Sequence, residues 1–192
     1  MSIKVTNDAN NGTVTIKGAE VAGDYTVTTP AFATELAPRM VLMTAQNSTS
    51  GTSIDFTGIP AWAKKITVMF AGVSTSGTSP YIVQLGDSGG IENTTYVGWN
   101  WNQNGTESLT PSTGICLFLN PTAASTHTGT CNINNLNGNT WQSTGIAIGT
   151  VGYSSTGAGS KTLPGTLDRI RITTVNGTDT FDAGQINVLY EG

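Results

Sequence analysis

Charge is scarce in this chain. Eight basic and twelve acidic side chains make up 10% of 192 residues, against roughly 25% in ordinary globular domains. The basic residues never cluster, and the formal net charge is -4. Phosphate backbones are held by grouped cations, so nucleic-acid binding is excluded as a main role. There is one histidine, His127, and only two cysteines, Cys116 and Cys131. Structural zinc sites use four ligands with tighter Cys pairs, so no metal site and no cofactor are expected. No apolar run approaches the roughly 18 residues of a membrane helix, which argues against membrane insertion. The opening MSIKVTNDANN lacks the basic and apolar regions of a signal peptide, so export by that route is not expected.

What fills the chain instead is Ser, Thr, Asn and Gly, interleaved with apolar residues that total 37%. A length above 150 residues lets one domain bury roughly 70% of its unfolded surface. Ile66, Val68 and Phe70 alternate with Lys65, Thr67 and Met69. Beyond the turn-forming residues 74–80, Tyr81, Val83 and Leu85 alternate with Ile82 and Gln84. This period predicts a β-hairpin with one buried face. Further strands are predicted at 40–45, 53–56, 93–105, 132–139, 146–148 and 185–190. Residues 115–119 are apolar on both faces, as suits a strand under two layers or against a partner subunit. Residues 153–161 read as a loop, and residues 167–181 as a hairpin turning at Asn176-Gly177. Many short strands separated by turn signals indicate an all-β, antiparallel, jelly-roll-like β-sandwich over residues 39–192. Residues 1–38 read as a short N-terminal β segment, either a small separate hairpin unit or edge strands of the main sheet, with Asn11-Gly12 as a turn between strands at 3–5 and 14–16. Its only helical stretch is PAFATELAPRMVLMTAQ at 30–46, a connector that Pro38 stops or kinks.

Four groups of residues resemble chemical sites. Gly86-Asp87-Ser88-Gly89-Gly90 spells the nucleophile segment of chymotrypsin-like proteases, but the sole histidine follows the serine instead of preceding it. A serine without an activating base is a weak nucleophile, so a glycine-rich turn is the better reading. Cys116, His127 and Cys131 read first as a buried thiol pair with an unrelated histidine. A disulfide comes second, if residues 115–120 and 130–135 pair as a hairpin. Asp168, Asp179 and Asp182 lack the dense spacing of a calcium loop. Trp99 and Trp101 are two apart and so project from one face of a strand. Burial in the core is the plainer reading of these indoles. Yet Tyr96, Trp141 and the amides Asn100, Asn102, Gln103 and Asn104 make the alternative a sugar-stacking platform. Trp99, Trp101, Asn100 and Asn102 are therefore the expected glycan contacts. No catalytic residue is expected, since glycoside hydrolysis needs two positioned carboxylates and no pair stands out.

Three segments carry a resemblance: SIDFTGIP at 53–60, KITVMF at 65–70 and RIRITTVNGTDTFDAGQINVLY at 169–190. Together they resemble the β-sandwich heads of tailed-bacteriophage surface appendages, which occur in tail fibres, head fibres and capsid decoration proteins. The similarity spans roughly residues 38–192 and rests on strand and turn patterns. It implies a non-enzymatic structural component of the virion. It also implies a homotrimer whose N-terminal part binds capsid or tail proteins, with host-surface glycans as further partners. Such a protein assembles in the bacterial cytoplasm and resides in the virion. The missing extended shaft points to a short fibre or a capsid-surface protein. A carbohydrate-binding module acting as a free monomer is the alternative.

Overall fold

The computed structural model describes residues 39–192, apart from 104–107, 110, 117–121, 124, 151 and 153, and the backbone alone of 5–7, 13–16, 25–28, 108, 109 and 116. The chain divides into two compact units, Met1–Arg39 and Met40–Gly192. In the first, β1 (Val5–Asn7), β2 (Thr13–Ile16) and β3 (Tyr25–Thr28) form an antiparallel three-stranded sheet. Val5 lies opposite Ile16, and Ile16 opposite Tyr25. The Asn11-Gly12 turn and residues 30–38 of the expected helical stretch lie outside the described residues; the rest of that stretch, 39–46, holds no helix and instead contains strand Met40–Leu42 and the start of strand Gln46–Asn47.

The second unit opens with β4 (Met40–Leu42), β5 (Gln46–Asn47), β6 (Ser53–Thr57) and β7 (Lys65–Thr75). Next come β8 (Tyr81–Asp87), β9 (Gly90–Ile91), β10 (Val97–Asn102), β11 (Ser108–Leu109) and β12 (Ile115–Cys116). The chain then runs through β13 (His127–Asn137), β14 (Thr140–Gly149), β15 (Ser154–Thr162), β16 (Arg169–Thr174) and β17 (Phe181–Glu191). Among the described residues these strands make two antiparallel sheets. The larger, of nine strands, runs β11-β10-β15-β14-β13-β7-β17-β4, with β5 also on β17. One of the sheets curls into a half-barrel. The smaller, of five, runs β12-β8-β16-β6, with β9 on β8. The chain passes repeatedly from one sheet to the other, which is the jelly-roll-like feature of this β-sandwich.

The core lies between the sheets and is built by alternation. Ile66, Val68 and Phe70 of β7, Ile133 of β13 and Ile186 and Val188 of β17 point inward from the larger sheet. Phe56, Tyr81, Val83, Leu85, Ile170 and Ile172 meet them from the smaller one. Each such side chain, fully buried, favours folding by about 1.5–3 kcal/mol before entropy is counted.

The expected hairpin between 66–70 and 81–85 is not formed. β7 belongs to the larger sheet and β8 to the smaller, so residues 76–80 cross between layers. Residues 175–180 do the same between β16 and β17, in place of the hairpin expected there. Alternation marks which face of a strand is buried, and both faces here meet the same core from opposite sides. The two crossings are laced together. Ser76 N donates to Thr180 O at 2.8 Å, and Ser79 N to the Asp179 carboxylate at 2.9 Å.

The strand buried on both faces is β8, all seven residues of it. The outer face of β8 is covered by the 111–114 segment, where Gln84 Nε2 donates to Thr113 O at 2.9 Å. At 115–119 only Ile115–Cys116 is a described strand, an edge strand on β8. Residues 117–119 lie outside the described residues. The loop expected at 153–161 is the strand β15, paired along its length with β14 and β10. Its small residues are needed for close packing. A Cβ on Gly157 would sit 2.8 Å from Asn100 Nδ2 and 3.0 Å from Trp99 O.

Candidate functional site

β10 carries the tryptophans, and the fold decides which way they face. Trp99 and Trp101 are exposed at 65% and 57% on the outer face of the larger sheet. Asn100 and Asn102, at 1% and 0%, point to its inner side. The four expected contacts therefore split between two faces, and the two asparagines are withdrawn from the site. Tyr96 and Trp141 are also buried, as core residues. Asn104 lies outside the described residues, and Gln103 is exposed just past the end of β10. The tryptophans, by contrast, are not core residues.

Their surroundings follow from register. Reading straight across seven strands, Trp99 stands beside Ala158, Thr144, Asn132, Thr67, Leu189 and Leu42. Trp101 stands in the next row, beside Thr156, Ile146, Thr130 and Met69. Thr67 Oγ1 donates to Asn132 Oδ1 at 3.0 Å within the first row. Val97, Ile146, Ile148, Met40 and Leu42 add further exposed apolar surface. Lys65 and Glu191 on this face pair with each other at 2.9 Å, and Asp182, exposed at the start of β17, accepts from Ser74 Oγ.

A latch holds the approach to β10. Lys161 is buried, and its Nζ donates to Thr94 O at 2.7 Å and to Thr95 Oγ1 at 2.9 Å. It also sits 3.5 Å from Glu92 Oε2 and 5.2 Å over the Tyr96 ring. Thr95 adopts φ 56°, a left-handed conformation that costs a β-branched residue energy. The Tyr96 hydroxyl fixes the next residue by receiving Leu85 N at 2.6 Å. Burial holds its pKa well above the ordinary tyrosine range. Sequence reasoning missed Lys161, since a cation in a Ser/Gly run reads as solvated.

The other sequence motifs resolve as structure. Asp87 Oδ1 accepts from Gly89 N at 2.8 Å, and Oδ2 from Gly165 N at 2.6 Å, so the protease-like run is a tight turn between β8 and β9. Ser88 is exposed there, while His127 is buried in the other sheet. The serine nearest that imidazole is Ser125, 3.3 Å from Nε2. Both residues are buried, and a Cβ on Gly149 would lie 3.0 Å from the ring. This serine–histidine pair therefore has no room for a substrate. Cys131 is a buried free thiol whose pKa desolvation pushes up to about 12. Cys116 pairs with Ile82 in the smaller sheet and Cys131 with Val68 in the larger, so the hairpin that the disulfide alternative required does not form. Among the described residues no group of three or more His, Cys, Asp or Glu side chains converges on a metal-sized site.

The geometry thus leaves one exposed, aromatic, nearly charge-free sheet face as the candidate site. Comparison with protein-family models, with curated proteins and with solved structures finds nothing that matches this chain.

Proposed function

We propose that this chain is a non-enzymatic structural component of a tailed-phage virion. In this reading it is a homotrimeric surface appendage, a capsid decoration protein, head fibre or short fibre, that touches host-surface glycans through Trp99 and Trp101. The N-terminal segment, residues 1–38, attaches it to capsid or tail proteins. The observation that carries the reading is the pair of exposed indoles on one strand, beside rows of threonine, asparagine and alanine. Flat indole faces stack on the C–H faces of sugar rings, and neighbouring hydroxyls and amides suit uncharged polar ligands. Single contacts of this kind are weak. Three on one particle gain on the order of 10²-fold in avidity when all can engage.

Replacing Trp99 and Trp101 together by Ala tests it. Both side chains are exposed, so the variant keeps its melting temperature within a few degrees. Binding to host cells or to a glycan array falls at least about ten-fold. Unchanged binding sinks the reading. Molar mass by light scattering separates the appendage from its nearest alternative. Three chains support the virion reading, whereas a single chain with the same sugar site favours a free carbohydrate-binding module.

A further inference from the structure

The smaller sheet carries a cleft of about 270 Å³ on its outer face. Its floor is two cross-strand rows set by the registers of β6, β16 and β8. Ser53, Thr173 and Ile82 make one row, and Arg171 and Gln84 the next. Thr113 stands over Gln84, whose amide donates to its carbonyl. Thr52 stands beyond Thr173, whose Oγ1 donates to Thr52 O at 2.8 Å. Asn93 and the Asn176-Gly177 turn complete the rim.

The charge arrangement narrows what fits. Arg171 is the cation lining the cleft, and both arms of its fork are held by Asp55, at 2.7 Å each. A guanidinium engaged this way is neutralised, so an anion gains little by entering. The guanidinium keeps N–H donors that Asp55 does not engage. The remaining polar groups are hydroxyls and amides, which both donate and accept. The complement is a small uncharged molecule with closely spaced groups that do both at once, which describes the hydroxyls of a sugar ring. The volume lies just under the roughly 300–1,000 Å³ of ordinary ligand pockets, so one ring fits and a long oligosaccharide does not.

We infer that this cleft is a second carbohydrate subsite, built to take one neutral monosaccharide unit of a glycan. It rests on the proposed glycan contact for its purpose on the virion, but it uses different strands and different residues from the tryptophan face. One protein thereby holds two chemically distinct contacts, one by stacking and one by hydrogen bonding.

The test is an NMR titration of the full chain with glucose, galactose, mannose, rhamnose and N-acetylglucosamine, with glucuronate as the anionic control. At least one neutral sugar produces saturable shifts at the amides of Gln84, Asn93, Arg171 and Thr173. Arg171→Gln weakens that binding about ten-fold or more, the loss of one charge-assisted hydrogen bond. Asn93→Ala, an exposed change that leaves the fold intact, weakens it by a smaller factor. The Trp99→Ala/Trp101→Ala protein binds in the cleft as wild type does. Absence of saturable shifts with every neutral sugar overturns the inference. So does a response to glucuronate alone, or wild-type affinity in both cleft variants. Loss of cleft shifts with tryptophan-dependent adhesion intact rejects the cleft alone. The reverse result rejects the tryptophan reading alone.

Discussion

His127 is the one histidine of the chain, and so the one side chain type here whose ordinary pKa lies near mild acid. It is packed edge-on to Tyr81 with ring centroids 5.3 Å apart, with Nδ1 3.3 Å from Val73 O and Nε2 3.3 Å from Ser125 Oγ. Burial lowers its pKa below the usual 6.5, and the Val73 carbonyl offsets only part of that. Tyr81, pushed up to about 12, stays neutral throughout the same range. The unfolded chain therefore takes up a proton near pH 6.5, while the folded chain resists it until a lower pH. The stability contributed by the neutral ring is complete above pH 6.5 and declines as pH falls through that value. Thermal melts between pH 7.5 and 5 should show a falling midpoint that His127→Gln flattens; parallel curves would disprove the assignment. At this scale the sequence was legible in part. Two tryptophans spaced for one face are visible in any strand, but which face meets water depends on the layer beneath. Asn100 and Asn102 were misjudged for the same reason, since amides are read as surface groups. Here they line the inner side of β10, Asn100 against Gly157 and Asn102 opposite Ser155 of β15.

At the scale of strands, spacing located most elements but not their partners. β7 and β8 were found by their alternation, yet each pairs in a different sheet, because alternation reports burial and not adjacency. β15 was missed because Ser, Gly and Ala carry little strand propensity. The strand exists because its neighbours bond it on both sides and because its glycines let β10 come close. Gly157→Val should consequently drive β15 from β10 and lower stability by about 1–3 kcal/mol, the usual penalty for overpacking. Ala158→Val, one residue along and facing outward, should change stability by less than about 0.5 kcal/mol. Denaturant midpoints of the two variants decide this, and equal midpoints would contradict the packing argument.

For the whole molecule, the division at Arg39 and Met40 carries a prediction of its own. The core of the second unit is drawn from residues 54–188. Residues 40–192 expressed alone should therefore melt cooperatively, within a few degrees of the full chain, while losing any attachment made by the first unit. A fragment that fails to fold would show that the two units share their stability. The all-β class and the sandwich were legible from composition, because a chain this poor in charge and rich in Thr, Asn and Gly favours strands and turns. The sheet orders were not, because they depend on loops that cross between layers, and such loops carry the same turn residues as hairpins.

The outer face of the larger sheet has a consequence in the medium around it. The Lys65–Glu191 pair balances itself, and the cross-strand rows of Trp99 and Trp101 hold only uncharged side chains among the described residues. Charged contacts weaken as the Debye length shrinks from about 10 Å at 0.1 M salt to about 3 Å at 1 M. A grip made of indoles, hydroxyls and amides has no such dependence. Adhesion through Trp99 and Trp101 should hold its strength from dilute buffer to 1 M sodium chloride, and a steep fall across that range would point to ionic contacts elsewhere on the particle.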